Sequence, residues 1–286
     1  MKLNPPGEIQ EGANIYFFGN NCSNSRKSMK GSNCNQAKII ACACHKGGVG
    51  KTTTAASVGG ILSEKQRVLL VDLDPQMNLT VTFTDGESDM SVFNSFSDFK
   101  ARRKGELPVI NIRKNLDLVP SSLDMCTVDA DFASVPGRDV ILKKLLESKL
   151  DKYDWILIDL PAQLGAITVN ALVAADGVII PMSCDAYSAD GLQQIANFVN
   201  DLKDINEKLR IIGILVTRYN GRRVVDRLVA EKLREEWGDL VFESVIRENA
   251  AISKAPLLKM DIATYDHKSI GAQDYASLCK EVKKRI

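Results

Sequence analysis

The stretch HKGGVGKTTT, residues 45–54, holds two lysines five positions apart, Lys46 and Lys51, with three glycines between them. A glycine-rich run ending in Gly-Lys-Thr has the chemistry of a phosphate cradle. The ordinary phosphate loop reads G-x-x-x-x-G-K-[ST], and His45 stands where its first glycine would be. The loop is otherwise richer in glycine than the pattern requires. Backbone N–H groups of Gly47, Gly48, Val49, Gly50, Lys51, Thr52 and Thr53 can converge on phosphate oxygens, helped by the N-terminus of a following helix. Glycine permits the close approach and the unusual dihedrals. The Lys51 ammonium would neutralise β- and γ-phosphate oxygens, and the Thr52 hydroxyl would bind Mg²⁺. The bland alternative is a glycine turn that merely caps a helix; the apolar strand before it and the Gly-Lys-Thr ending favour phosphate. Lys46 is not needed for the cradle. A cation at the loop's start, with no partner in its own chain, is free to meet an anion on another molecule.

Such a loop works only between a strand and a helix, and the sequence supplies both. Short, nearly continuous apolar runs recur: KIIACAC (38–44), RVLLVDLD (67–74), LDLVPS (116–121), WILIDL (155–160), GVIIPM (177–182) and RIIGILVT (210–217). Continuous rather than alternating runs mark strands covered on both faces. Helix-like segments separate them: TTAASVGGILSEKQ, VILKKLLESKL, ADGLQQIANFVNDLKDI and VVDRLVAEKLREEW. The alternation predicts an α/β fold, a doubly wound, mostly parallel sheet flanked by helices on both faces, as in P-loop nucleotide-binding proteins. Residues 84–107 are polar and mixed and predict a short helix and loops. Residues 1–36 read as a disordered tail with one apolar segment, IYFF (15–18), and residues 37–286 as the nucleotide-binding domain.

The 286 residues are 45% hydrophobic with a net charge of +1, so no global field announces a nucleic-acid or membrane partner. No run of about 18 apolar residues exists, and no membrane span is expected. The start, MKLNPPGEIQEG, has no apolar core of a secretory signal. Seven cysteines, an odd count, argue for reduced thiols in a cytoplasmic protein rather than a disulfide framework. Cys42 and Cys44 alternate with alanine as small strand residues, and Cys22 and Cys34 lack the spacing of a zinc site.

HKGGVGKTTT resembles the deviant Walker A box of the ParA/MinD superfamily, whose signature lysine corresponds to Lys46. The resemblance implies two monomers that face each other with two ATP molecules trapped between them. The signature lysine of each would reach the phosphates of the other's ATP, so that Lys51 binds and Lys46 couples binding to dimerisation. VLLVDLDPQMNLT (68–80) resembles the family's VDLDPQGNAT, which makes Asp74 the carboxylate that orients the attacking water; Asp72 would be structural. NLDLVPSS (115–122) resembles NLDLIPSS. YDWILIDLPAQLGAITVNAL (153–172) resembles the Walker B segment, so Asp159 would hold Mg²⁺ through a water, with the nucleotide-sensing switch following it. SVIRENAAISKAP (244–256) resembles TVIPRNVRLSEAP, a segment that lies against the nucleobase. Arg247 replaces its proline and Glu248 its arginine, while Asn249 is retained. The expected cofactors are ATP and Mg²⁺, and the catalytic set is Lys46, Lys51 and Asp74. The resemblance covers about residues 37–284.

Within the superfamily the DPQ and NLT of the second box favour the ParA branch, which implies a partition ATPase that binds DNA non-specifically as a dimer. Residues 218–234, RYNGRRVVDRLVAEKLR, are basic, and Arg218, Arg222, Arg223 and Arg227 are the expected DNA contacts; Arg222 matches a family arginine. The bland alternative is a solvated helix face. A ParB-like partner would stimulate hydrolysis, and the protein would sit on the nucleoid. Two other readings stay open: a MinD-like ATPase at a membrane surface, and an orphan ParA-like ATPase that positions a protein cargo. Against the former, the C-terminal segment AQDYASLCKEVKKRI reads as a packed helix, because its apolar face is short and lacks Trp or Phe.

Overall fold

The computed structural model describes residues 36–86, 88–186 and 189–286, with no side-chain detail for 186–190. The expectations for the N-terminal tail fall on residues 1–35, outside those described. Seven strands form one sheet: β1 (Lys38–Cys42), β2 (Val68–Asp72), β3 (Ile110–Arg113), β4 (Leu116–Val119), β5 (Trp155–Asp159), β6 (Gly177–Ser183) and β7 (Arg210–Thr217). Their order is β3-β4-β2-β5-β1-β6-β7. Every pairing is parallel except β3 with β4. The six apolar runs are the six parallel strands. The edge strand β3 has no counterpart among those runs, because INIR is short and only half-buried on an exposed edge.

The α-helices among the described residues are α1 (Lys51–Leu62), α2 (Asn78–Phe83), α3 (Val92–Arg102), α4 (Val128–Asp131), α5 (Ile141–Leu146) and α6 (Ala166–Ala174) in the first part of the chain. They are followed by α7 (Ala189–Asp201), α8 (Val224–Trp237), α9 (Ala250–Lys254), α10 (Ile262–Asp266) and α11 (Ile270–Arg285). The region 84–107 carries α3, started by a reciprocal Ser91/Asn94 capping box.

Two apolar cores sandwich the sheet, as strands buried on both faces demand. One lies under α3, α5, α6, α7 and α8, the other under α1, α10 and α11. Helix α1 is buried almost all round, and its two glycines explain how it fits. A Cβ on Gly59 would sit 2.5 Å from a Leu70 methyl, and one on Gly60 would sit 2.3 Å from the Asp261 carboxyl carbon. Helix α11 buries Tyr275, Leu278 and Val282 in the core that it shares with α1. Peeling Leu278 and Val282 away to face a lipid surface would forfeit roughly 3–6 kcal/mol of burial. None of the described helices is long and apolar enough to cross a membrane.

Candidate functional site

Strand β1 delivers the chain into the loop 45–50, and α1 leaves it. Gly48 and Gly50 have φ of 74° and 92°, dihedrals that a side chain would strain. The Thr217 hydroxyl, at the end of β7, donates to the Val49 carbonyl at 2.8 Å and pins the loop to the sheet. The two lysines differ sharply. Lys51 is 7% exposed and its Nζ donates to the Lys46 carbonyl at 3.3 Å, which folds the ammonium back over the loop. The Lys46 side chain is exposed and makes no hydrogen bond or ion pair among the described residues. His45 donates through Nδ1 to the Ala162 carbonyl at 3.1 Å, joining the loop's start to the segment after Asp159.

The carboxyl ends of β2 and β5 add the acids. Asp72 and Asp159 are fully buried and sit in register on adjacent strands. Asp72 is saturated: its oxygens accept from Asp74 N at 3.1 Å and from both the Thr80 N–H and hydroxyl at 2.7 Å. Burial still pushes its carboxyl up to about 6. Asp159 is likewise raised well above the usual carboxylate range, first by burial and then by the Asp72 charge; Thr52 and Lys51 oppose the rise. The Thr52 hydroxyl faces the Asp159 carboxylate, yet neither Asp159 oxygen has a hydrogen bond of normal geometry. A buried carboxylate without donors is costly unless a cation or its water shell completes it. The donor set of a hydroxyl and a carboxylate is the hard-oxygen set that suits Mg²⁺. Asp74 is half-buried, and its Oδ1 accepts from Gln76 N at 2.9 Å.

These groups line a cleft of about 810 Å³ at the carboxyl edge of the sheet, where a doubly wound fold binds its ligand. Gly47, Gly48, Gly50, Lys51, Thr52, Thr53 and Asp74 all face it. So do Gln76 and Asn78 of the DPQ and NLT pair, Gln163 from the segment after Asp159, and Asp129, the one of the four that the sequence alone does not single out. Asp129 has no local signal. It arrives from the long connection between β4 and β5, where it accepts from the Ala166 N–H at 2.6 Å and caps the start of α6. A second hollow of about 470 Å³ adjoins the loop at Gly48, Gly50 and Thr53 and is lined by Arg247 and Asn249. Arg247 is fixed there by Asp274, with Nε 3.0 Å from Oδ2. The Asn249 side chain accepts from Ala251 N at 2.8 Å and caps α9.

The basic arginines are less uniform than their sequence suggests. Arg218 lies 3.8 Å from Asp185, and Arg223 pairs with Glu248 at 3.1 Å. Arg227 donates to the Gly221 carbonyl at 2.8 Å. The Arg222 side chain is exposed without a partner among the described residues. Val224, Val225 and Leu228 lie exposed among them.

Comparison with known proteins places this architecture. A family model described as an AAA domain matches residues 37–211. The chain is 38% identical over 254 residues to the sporulation initiation inhibitor protein Soj of Bacillus subtilis, covering 86% of this chain and 98% of that protein. It is 34% identical over 260 residues to the chromosome partitioning protein ParA of Caulobacter vibrioides, covering 88% and 96%. Among solved structures, cobyrinic acid a,c-diamide synthase from Mycobacterium smegmatis, with a bound ATP analogue and magnesium, superposes with a TM-score of 0.73 at 30% identity. That match covers 85% of this chain and 93% of that one. With a phosphate loop at the head of a doubly wound sheet and these relatives matched along nearly their whole length, the chain belongs to the ParA/Soj family of ParA/MinD-type P-loop ATPases.

Proposed function

We propose that the protein is an ATP-dependent DNA-partitioning ATPase whose nucleotide state sets its dimer state and thereby its hold on DNA. The observation that carries this reading is the division between the two lysines. Lys51 is buried and committed to its own loop, whereas Lys46 projects from the same loop unpaired.

The residues divide the work as follows. The backbone N–H groups of 47–53 and Lys51 bind the phosphates. The Thr52 hydroxyl and the orphaned Asp159 carboxylate are the groups that would hold Mg²⁺, Asp159 through a water. Bound there, Mg²⁺ would neutralise part of the charge on the phosphate oxygens. Asp74, half-exposed on the cleft, orients the attacking water. Asp72 acts through others, since it anchors the Asp74 N–H and Thr80. Lys46 of one chain clasps the triphosphate held by the other, which favours ATP over ADP because the triphosphate carries more charge. Arg247 and Asn249 flank the nucleobase side. The dimer doubles the arginine contacts around Arg222, and effective concentration turns two weak contacts into one firm one. A ParB-type partner stimulates hydrolysis and releases the protein from nucleoid DNA. The names of its relatives, a chromosome partitioning protein among them, support the partition role. The membrane-surface alternative is disfavoured by α11, whose apolar face is already packed on the domain.

Duplex binding measured with ADP, ATP and a non-hydrolysable analogue tests the switch. Binding should appear with ATP or the analogue and vanish with ADP. In light scattering, Lys46→Ala should still bind nucleotide yet stay monomeric with the analogue; a normal dimer of that variant would refute the role of Lys46.

A further inference from the structure

A second cationic surface lies far along the chain from α8. The end of α3 carries four basic side chains in five residues, Lys100, Arg102, Arg103 and Lys104, all exposed. Lys100 Nζ donates to the Asp131 carbonyl at 2.8 Å, and Arg103 Nη1 donates to the Pro136 carbonyl at 2.9 Å. Carbonyl partners fix these side chains without cancelling their charge. Arg102 and Lys104 make no hydrogen bond or ion pair among the described residues. Asp98, one turn before Arg102, forms no ion pair with it. The α8 surface is different, since two of its four arginines are paired with Asp185 and Glu248. The helix dipole accounts for cations in a last turn, worth roughly 0.3–1 kcal/mol each. It gives no reason for Arg103 and Lys104, which lie past the end of α3.

We propose that this turn, residues 100–104, is a second contact surface for the phosphate backbone of double-stranded DNA, distinct from α8. The proposal rests on the DNA-binding reading above. The chemistry of the surface selects the partner. No large apolar side chain is exposed between Met90 and Val109 among the described residues, so there is no anchor for a protein interface and no wedge for a lipid surface. A phosphate backbone needs only fixed positive charge. Helix α3 starts beside the end of β4, where Val92 N–H donates to the Pro120 carbonyl at 2.9 Å, while α8 follows the opposite edge strand β7. The two surfaces therefore share no partners, and their contributions should add.

The test is a salt series of duplex affinity for the full chain with a non-hydrolysable ATP analogue, read by the anisotropy of a labelled random-sequence duplex. The variants are Arg102→Ala with Lys104→Ala, the same positions changed to Glu, and Arg222→Ala. The double alanine variant should bind roughly fivefold or more weakly at low salt. It should also reduce the slope of log K against log salt by about 1–2, near 0.9 for each phosphate that is no longer neutralised. Charge reversal should weaken binding further, and Arg222→Ala should act independently. Wild-type affinity and slope in both α3 variants, with weaker binding in Arg222→Ala, would overturn the second surface alone. Absence of wild-type duplex binding in every nucleotide state would overturn the DNA reading and this surface with it. Loss of binding to anionic phospholipid vesicles, with duplex binding intact, would overturn it in favour of lipid.

Discussion

Asp159 shows how much a single residue can concentrate. It is a carboxylate at the end of a strand buried along its whole length, beside a second buried carboxylate, with no hydrogen bond of normal geometry to either oxygen. Its cost is electrostatic. Burial pushes the Asp72 carboxyl up to about 6 from its ordinary 3.8, and Asp159 is raised in the same direction. Between about pH 4 and pH 6 the folded state therefore holds protons that the unfolded state has lost. The contribution of this pair to stability without metal therefore falls as pH rises through that window. Asp159→Asn removes one charge of the pair at constant shape. In EDTA at pH 8 it should raise the unfolding free energy, by an increment on the order of 1–3 kcal/mol, and flatten the decline between pH 4 and 6. Mg-ATP should stabilise the wild type by mass action and add little to the variant. A variant less stable than wild type in EDTA at pH 8 would show that the carboxylate is held by favourable contacts instead. The neighbouring Cys42 fits the same picture: burial and the Asp159 charge push its thiol up, so it stays a neutral core residue.

At the scale of elements, α1 carries the site and is held in place by what it lacks. Gly60 lets the Asp261 carboxylate press against the helix. Asp261 in turn pairs with Arg113 at 2.7 Å, and Arg113 donates to the Gly60 carbonyl at 3.2 Å. Asp261 also caps α10 through Ala263 N and Thr264 N. A methyl on Gly60 must displace this buried carboxylate, so Gly60→Ala should destabilise by about 2–3 kcal/mol although alanine favours helix. Chemical denaturation checks it; an unchanged or increased midpoint would mean that the Asp261 contact yields freely. The parallel strands and the loop between β1 and α1 are legible in the sequence because continuous apolar runs and Gly-Lys-Thr are local signals. The edge strand β3 is not, since a half-buried strand of four residues leaves no apolar run. Asp129 and Thr217 are equally hidden. Each reaches the site from a distant part of the chain, and only the sheet order brings β7 and the 123–131 connection to the loop. The basic segment 218–234 is visible as composition, but the pairing of Arg223 with Glu248 spans 25 residues and needs the fold.

For the molecule as a whole, the question is what covers the face that carries the cleft. Pro256 and Val81 line the cleft, and beside them Leu257 and Leu258 are 79% and 57% exposed. Lys259 ties this corner together by donating to the Val81 carbonyl at 3.1 Å. A lone exposed leucine is ordinary, but adjacent apolar side chains on the rim of a ligand cleft mark a surface that is covered in some state. In the proposed dimer the two clefts face each other, and these rims are brought into the interface with them. Lys46 then supplies the charge that senses the triphosphate, and the leucines supply apolar area that does not depend on nucleotide. Leu257→Asp separates the two contributions. The aspartate would place an unpaired carboxylate in the interface, so analogue-dependent dimerisation should weaken at least roughly tenfold, about 1.4 kcal/mol. Nucleotide affinity of the monomer should be unchanged, because Leu257 does not line the cleft. Duplex affinity should fall with dimerisation rather than on its own, since the DNA contacts of one chain are untouched. Sedimentation of the variant with saturating analogue decides the matter. A dimer as tight as wild type would mean that the rim stays outside the interface, and that the clefts meet in a different orientation or not at all.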